Sequence, residues 1–264
     1  MSDLFSKKII SEHLTAEGLQ IHILENVPST NAVLKTMAAE NAPEGCVVIA
    51  SQQTAGKGRM GREFFSPEGS GIYMSLLLRP KVDTVDALSI TSMAAVAAAE
   101  AIEQVSGREA RIKWVNDIYI AGKKSAGILA EGSLNSSGSF DYIVLGIGIN
   151  CFAPSGGFPA ELRDIATNVF EGQPDSGKAG VLAAEVLNRF MRMYKALPKT
   201  DFYGTYKGKS LVLEKNILLL SPGKEPVEVF VEDINHDFSL LVRYDDGTRK
   251  NISSGEVSLR FKQE

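Results

Sequence analysis

The sequence predicts an α+β fold, in which a mixed sheet with helices is followed by a small β-barrel. As far as about Tyr206, hydrophobic residues recur alternately at helical and at strand-like spacing. Beyond Tyr206, several short strand-like segments follow one another without a helix, as a small barrel requires. We therefore expect a larger domain at 1–207 and a barrel domain at 208–264.

The individual elements follow from hydrophobic spacing and from the residues that interrupt it. A helix begins at Ser29-Thr30-Asn31 and stops at Asn41-Ala42-Pro43. In the larger domain we predict strands at 19–27, 47–50, 72–78, 111–120, 126–131 and 140–149, and further helices at 86–105 and 179–197. In the barrel we predict strands at 211–213, 217–220, 227–232, 239–244 and 256–261, with turns at Pro222-Gly223-Lys224 and Asp245-Asp246-Gly247.

Composition and charge argue against several classes of protein. Hydrophobic residues make up 44% of the 264 residues and charged residues 23%, which is typical of a globular chain. The net charge of −4 argues against general binding to nucleic acid or to a membrane surface. No apolar run is long enough for a signal peptide or a membrane span. Cys46 and Cys151 lie far apart, which indicates reduced core thiols and a cytoplasmic location.

The sharpest motif is a glycine-rich cationic loop at 52–62. Gly56, Gly58 and Gly61 let the backbone approach a ligand closely, and three cations within six residues favour an anion such as phosphate or carboxylate. The glycine spacing also matches the dinucleotide-binding fingerprint. However, Glu63-Phe64-Phe65 follows the loop where that fingerprint requires a helix, so the dinucleotide interpretation fails. Taken alone, the loop could equally be a solvated basic turn.

Two other segments resemble phosphate-binding P-loops but lack part of the motif. The segment at 172–179 ends in Ala179, so it offers no hydroxyl to Mg²⁺, and the segment at 204–210 is one residue short. We interpret both as linker turns.

Polar and glycine residues also interrupt two apolar strands. Asn116-Asp117 lies within the predicted strand 111–120, where polar side chains need partners. Lys124 precedes the small pair Ala126-Gly127, which leaves room for a ligand. Gly146-Ile147-Gly148-Ile149-Asn150 indicates close approach by another group, although a core bulge would explain it as well. The three histidines have no metal-ligand spacing.

Taken together, these segments resemble the biotin–protein ligase family over nearly the full length of the chain. The family's G-R-G-R-x-G-R loop corresponds to 56–62, and its K-W-P-N-D segment to 113–117. Its K-x-A-G-I-L segment corresponds to 124–129, its G-x-G-I-N segment to 146–150, and its C-terminal segment to 255–260. The resemblance implies a fold like the catalytic domain of class II aminoacyl-tRNA synthetases, with an SH3-like C-terminal barrel.

The resemblance also implies a two-step reaction that uses ATP. The carboxylate of biotin attacks the α-phosphorus of ATP, which gives biotinyl-5′-adenylate and pyrophosphate. A lysine of a biotin carboxyl carrier protein, a domain of a carboxylase, then accepts the biotin. Mg²⁺ accompanies ATP, and no protein ligand is assigned to it. A homodimer is compatible with the family, whereas no DNA or membrane partner is expected.

Roles are carried over position by position. Lys124 and Arg59 are expected to neutralise the carboxylate and the α-phosphate, and Asp117 to orient or deprotonate the acceptor lysine. The residues expected to bind biotin are Ser29, Thr30, Asn31, Gln53, Gly56, Lys57, Gly58, Arg59, Lys124 and Gly127. The residues expected to bind ATP are Arg59, Arg62, Phe64, Phe65, Asn116, Lys124 and Asn150. The chain departs from the family pattern at Lys57, Phe64 and Val115, where arginine, tryptophan and proline are usual.

Two alternatives remain open at this point. A lipoate or octanoate ligase shares the fold and the adenylation step, but its glycine-rich segment ends in His-Asp, unlike the one here. A non-catalytic regulator could also use the fold, although the complete set of cations argues against it. Only 28 residues precede Ser29, too few for the DNA-binding domain of ligases that also act as repressors, so we expect a monofunctional ligase.

Overall fold

The computed structural model describes residues 6–80, 87–136, 138–199, 201–220, 225–253 and 255–259. The start of the predicted helix at Asp86, the turn Pro222-Gly223-Lys224, and Arg260 and Phe261 of the last predicted strand lie outside these ranges. Within them, twelve strands form two sheets and five α-helices accompany the sheets.

The elements of the larger part occupy most of the predicted positions. Its strands are β1 Gln20–Val27, β2 Cys46–Gln53, β3 Gly71–Leu78, β4 Arg111–Lys113, β5 Asp117–Ile120, β6 Lys123–Leu134 and β7 Phe140–Asn150. The helices are α1 Lys7–His13, α2 Thr30–Ala39, α3 Ala87–Ser106, α4 Ser176–Lys195 and α5 Tyr203–Gly208. The short helices α1 and α5 were not predicted.

The large sheet has seven strands in the order β1-β2-β3-β7-β6-β5-β4. Its first pair, β1 with β2, is parallel, and the other pairs are antiparallel, so the predicted mixed sheet is confirmed. All eight residues of β3 are buried because helices cover both faces of the sheet. On one face α3 and α4 enclose a large core that includes Leu76, and on the other face α2 packs Leu34 and Ala38 against Leu77. The functional residues described below lie on the α2 face.

The C-terminal part forms a second, antiparallel sheet of five strands. These strands are β8 Asn216–Leu220, β9 Val227–Ile234, β10 Leu240–Arg243, β11 Arg249–Ile252 and β12 Glu256–Leu259. Their order is β11-β10-β9-β8-β12, and β11 was missed because its residues are mostly exposed and polar. The described residues of β11 and β12 do not pair with each other, so closure into an SH3-like barrel stays a prediction. Apolar residues such as Val229 and Val242 join the main core directly.

Two predicted strands are corrected by the structure. The strand at 111–120 is broken by a turn at 114–116, because Asn116 bonds Ile128 through its side-chain amide and its backbone carbonyl, at 2.8 and 2.9 Å, and the chain reverses there. The strand at 211–213 is a turn, because the Ser210 hydroxyl accepts the backbone N–H groups of Val212 and Leu213 at 3.2 and 3.3 Å.

The two P-loop-like segments take part in helices. Asp175 is the N-cap of α4 and accepts the N–H groups of Gly177 and Lys178, so 172–179 leads into that helix. The segment 204–210 largely belongs to α5, so its interpretation as a linker turn was wrong. For 172–179 the interpretation is confirmed at 172–175, which are irregular, and wrong at 176–179, which form the start of α4.

Both cysteines are buried and unpaired, as predicted. Among the helices in the described ranges, none combines the length and the apolarity that a membrane crossing demands.

Candidate functional site

Two neighbouring cavities lie where α2, the glycine-rich loop and strands β3, β6 and β7 meet. The inner cavity, of about 50 Å³, is lined by Ser29, Thr30, Asn31, Gln53, Lys57, Gly58, Arg59, Phe64, Tyr73, Met74, Asn116, Lys124, and residues 127–129 and 146–148. The outer cavity, of about 450 Å³, is lined by Arg62, Glu63, Phe64, Phe65, Lys113, Asp117, Tyr119, Gly122, Lys124, Asn150, Phe158, Leu162, Asp164, Ile165 and Ala166. Phe64 and Lys124 line both, so they form the boundary between the cavities.

The N-terminus of α2 supplies one polar wall of the inner cavity. Ser29, Thr30 and Asn31 are each at least 95% buried. Ser29 occupies the N-cap position, but its side chain makes no capping hydrogen bond. The backbone N–H and the hydroxyl of Thr30 both donate to Gln53 Oε1, at 2.9 and 3.1 Å. Gln53 Nε2 donates in turn to Ser66 Oγ at 2.9 Å, which fixes the orientation of the amide.

Asn31 is held by residues that the sequence analysis did not single out. Its Oδ1 accepts from Ser75 Oγ at 2.6 Å, and its Nδ2 donates to Glu131 Oε2 at 2.8 Å. Glu131 is paired on its other oxygen with Lys35, at 2.5 Å. Ser75 is a polar residue in the fully buried strand β3, and such a residue requires partners, so this signal was available in the sequence.

Glycines on β6 and β7 create the space that these polar groups and the loop occupy. A Cβ on Gly146 would lie 2.3 Å from Asn31 Oδ1, and a Cβ on Gly148 would lie 2.6 Å from the ring of Phe64. A Cβ on Gly127 would lie 3.2 Å from Lys124 Nζ. The close approach expected at the glycines is therefore made by the chain's own side chains.

The cationic loop is closed by backbone hydrogen bonds into a hairpin-like turn. Gly58 N donates to Arg62 O at 2.7 Å, and Phe64 N donates to Gly56 O at 2.9 Å. A Cβ on Gly56 would lie 2.4 Å from Phe64 O, so Gly56 packs inside the loop and lines neither cavity, unlike the other residues expected to bind biotin. Met60, at the tip, adopts a left-handed φ of 56° and is 55% exposed.

Arg59 connects this loop to the strand turn and to the second sheet. Its Nη1 donates to Asn116 Oδ1 at 3.3 Å, and its Nη2 donates to Gly255 O at 3.2 Å. Trp114, in the same turn as Asn116, donates its indole N–H at 2.8 Å to Phe238 O, which lies in the turn between β9 and β10. Asn116, expected at ATP, lines the inner cavity and not the outer one.

Lys124 is fixed at the boundary through both its side chain and its backbone. Its Nζ lies 2.7 Å from Asp117 Oδ1, with the lysine and aspartate side chains 33% and 19% exposed. Its backbone N–H donates to Ile165 O, and its carbonyl accepts from Thr167 N, each at 2.8 Å. The segment that forms one wall of the outer cavity thus also holds Lys124 in place.

The outer cavity combines apolar side chains with cations. Its apolar lining includes Phe64 and Phe65 together with Phe158, Leu162 and Ile165. The three-residue apolar set was missed, because it lies in an irregular segment without a sequence pattern. Arg62 and Asn150 complete the cavity, and Asn150 Nδ2 donates to Thr167 O at 3.2 Å.

Tyr73 supports Phe64 from beneath. Its hydroxyl donates to Pro67 O at 2.9 Å, and the two rings meet edge to face with centroids 6.4 Å apart. Burial raises the pKa of Tyr73 well above its ordinary value, so the phenol is neutral and acts as a donor.

Within the described ranges, no group of three or more His, Cys, Asp or Glu side chains has the arrangement of a metal site. The chain contains a His-Asp pair, His236-Asp237, which lies far in sequence from the glycine-rich loop at 52–62. It lies between β9 and β10, where His236 stacks on Tyr203 at 4.1 Å, and it lines neither cavity.

The sequence is similar to those of known ligases and of a wider ligase family. Residues 23–150 match the model of the biotin/lipoate A/B protein ligase family. The bifunctional ligase/repressor BirA of Bacillus spizizenii is 42% identical over 71% of the chain, and the match spans 55% of that protein. The biotin–[acetyl-CoA-carboxylase] ligase of Mycobacterium tuberculosis is 31% identical, and the match covers 90% of the chain and 88% of that protein.

The fold is also found among solved structures. The biotin protein ligase of Aquifex aeolicus, solved in complex with biotin and ATP, superposes with a TM-score of 0.75 at 30% identity. The superposition covers 91% of this chain and 98% of that protein. The chain therefore belongs to the biotin–protein ligase family.

Proposed function

We propose that the chain is an ATP-dependent biotin–protein ligase, which makes biotinyl-5′-adenylate and then transfers biotin to a lysine of a carrier protein. The observation that carries the proposal is the pair of cavities joined at Lys124. One cavity joins neutral polar groups, suited to a ureido ring, to the cations Lys57, Arg59 and Lys124, which suit a carboxylate. The other joins aromatic and aliphatic side chains, suited to a nucleotide base, to cations and carboxylates that include Arg62 and Asp117. A reaction between two ligands needs such a shared boundary.

Biotin is assigned to the inner cavity. Thr30, Asn31 and Gln53 face the ureido head, and Lys57, Gly58 and Arg59 flank the side that leads to the carboxylate. The volume of about 50 Å³ is far below the roughly 300 Å³ typical of small ligand pockets. The Phe64 ring, which lies over Gly148, is the side chain that we expect biotin binding to displace.

ATP is assigned to the outer cavity. Phe64, Phe65 and the apolar segment around Ile165 enclose the adenine, and Arg62 binds the phosphates. Mg²⁺ would be held mainly by the phosphates, since the described residues contain no group of three or more possible metal ligands and Asp117 is paired with Lys124. When bound, Mg²⁺ neutralises the charge of the leaving pyrophosphate.

The chemistry follows from the charges at the boundary. A biotin carboxylate oxygen attacks the α-phosphorus and the bond to pyrophosphate breaks, while Lys124 and Arg59 neutralise the negative charge of the two reacting anions. In the second step the acceptor amine attacks the acyl carbon and AMP leaves. Asp117, released as Lys124 turns to the adenylate, accepts the proton that the amine loses.

Several finer features belong to the same proposal. The acceptor is a biotin carboxyl carrier domain, and the enzyme is located in the cytoplasm, where ATP is available and buried thiols stay reduced. The C-terminal sheet is an SH3-like barrel that begins near residue 208, and the larger part has the class II synthetase-like architecture. The oligomeric state, including a homodimer, stays a prediction.

The experiment that tests the proposal is ATP–pyrophosphate exchange with biotin, with lipoate or with no acid. We expect exchange that depends on biotin, followed by transfer of biotin to a carrier domain. Exchange driven by lipoate and not by biotin would establish a lipoate ligase, and an absence of exchange would favour a regulator.

A further inference from the structure

A chain of polar contacts runs from the surface of α2 to the wall of the inner cavity. Lys35 contacts Glu131, Glu131 contacts Asn31, and Asn31 contacts Ser75, at 2.5, 2.8 and 2.6 Å. Ser75 Oγ also lies 2.7 Å from Thr30 Oγ1. Lys35 and Glu131 form the outer end of this network and do not line the cavity, whereas Thr30 and Asn31 at its inner end do.

The direction of each hydrogen bond in this network follows from the charge at its outer end. A carboxylate accepts hydrogen bonds and cannot donate, so the NH₂ group of Asn31 must face Glu131. Asn31 Oδ1 must then face Ser75, whose single proton is donated to it. The proton of Thr30 is directed to Gln53 Oε1 or to the Ser75 oxygen. Asn31 Oδ1 and Thr30 Oγ1 both keep lone pairs for a ligand.

Glu131 carries its charge at neutral pH. Burial alone would raise the pKa of Glu131, but hydrogen bonds from Lys35 and Asn31 and the positive charges of Lys35 and Lys57 hold it below its ordinary value. The side chain is 26% exposed, so water competes little for its oxygens. The amide of Asn31 is therefore held against a permanent anion.

We propose that Glu131 is a positioning residue that makes the inner wall accept hydrogen bonds, and so selects ligands with N–H donors. The inference rests on the proposed function, in which those donors are the ureido N–H groups of biotin. A neutral amide at position 131 can both donate and accept, so it stabilises either orientation of Asn31. In the reversed orientation the NH₂ group of Asn31 faces Ser75 and the ligand, and a ureido N–H loses its acceptor.

The test compares Glu131→Gln with Lys35→Met in biotin-dependent pyrophosphate exchange. Both variants remove the same ion pair, but only Glu131→Gln removes the anion that orients Asn31. We expect Glu131→Gln to raise the KM for biotin by up to about tenfold, the equivalent of one neutral hydrogen bond to the ligand, with the KM for ATP and kcat within about twofold. Lys35→Met should change the KM for biotin by less than about twofold.

A biotin analogue methylated on one ureido nitrogen gives an independent measure of donor selection. The parent chain should strongly prefer biotin to this analogue, and Glu131→Gln should reduce the preference. Equal effects of Glu131→Gln and Lys35→Met would show that the ion pair matters and not the direction of the hydrogen bonds. An unchanged KM for biotin in Glu131→Gln would overturn the inference.

Two controls keep the outcomes distinct. If Glu131→Gln unfolds at a lower temperature than the parent, Ser75→Ala replaces it, because this variant interrupts the same network and should also raise the KM for biotin alone. An unchanged KM in a folded Ser75→Ala variant would then count against the inference. A parent chain without biotin-dependent exchange would overturn the proposed function itself, before any variant is compared.

Discussion

Gly146→Ala tests whether the glycine in β7 exists to accommodate Asn31. The backbone at Gly146 is not in the left-handed region, so alanine is acceptable there on conformational grounds. The obstacle is Asn31, whose Oδ1 would lie 2.3 Å from the new Cβ, whereas real Cβ contacts essentially never fall below 3.0 Å. The side chain of Asn31 must therefore move away from the new Cβ, so that this contact lengthens from 2.3 Å to at least 3.0 Å.

The cost of that retreat can be worked out from the contacts of Asn31. Its bond to Ser75 is neutral and contributes about 0.5–1.5 kcal/mol, and its bond to the Glu131 carboxylate contributes about 1.5–3 kcal/mol. Loss of both would lower the free energy of unfolding by about 2–4.5 kcal/mol. The KM for biotin should rise as well, because Asn31 leaves the cavity wall.

Urea unfolding of Gly146→Ala, Asn31→Ala and the double variant measures this cost. Once Asn31 is truncated the clash is gone, so Gly146→Ala should then be neutral or stabilise by about 0.4–1 kcal/mol. The double variant should therefore be clearly more stable than the sum of the single effects predicts. Additivity within about 0.5 kcal/mol would refute the reasoning, because it would mean that the two side chains do not compete for space.

Four further predictions concern the proposed catalytic groups and a thiol. Arg59→Gly removes the guanidinium that links the loop to Asn116 and Gly255, so the adenylate should escape from the site. Blotting with streptavidin should then show unrelated proteins biotinylated at least about tenfold faster than by the parent chain, and unchanged labelling would contradict this. Lys124→Met should slow pyrophosphate exchange about a hundredfold or more, whereas the control Lys123→Met should not, because the Lys123 amine bonds only a loop carbonyl. Asp117→Asn should slow transfer of biotin to the carrier more than it slows exchange, and equal losses in both steps would exclude the role given to Asp117. Burial raises the pKa of the Cys151 thiol to about 12, so the thiol stays protonated at pH 8.5. Iodoacetamide should therefore alkylate Cys151 only after unfolding, and rapid labelling of the native protein would disprove this.

Much of the fold could be predicted because hydrophobic spacing reports directly on burial. The strands β1, β3 and β7 and the helix α2 were predicted within one or two residues of their ends. The spacing failed where one side chain redirects the backbone. Asn116 reverses the chain inside an apolar run, and no periodicity reveals such a turn.

The candidate site could be predicted only where its residues form contiguous motifs. The loop at 56–62 and the strand around Lys124 carry such motifs, and the structure brings both to the same cavities. Phe158, Leu162 and Ile165 follow no pattern, because an irregular segment is positioned by backbone bonds to Lys124 and Asn150. Their role depends on a tertiary contact that sequence spacing does not encode.

The glycines of β6 and β7 explain how a cavity can lie over the middle of a closely packed sheet. Gly148 is paired with Gly127 on one side and with Tyr73 on the other, so two adjacent strands lack a Cβ at the same level. The Phe64 ring occupies the space so created and also lines the outer cavity. We therefore expect a ligand that displaces this ring from Gly148 to alter the wall of the outer cavity as well. On the proposed function, biotin and ATP are then coupled through one side chain, and the coupling follows from the absence of two Cβ atoms in the sheet.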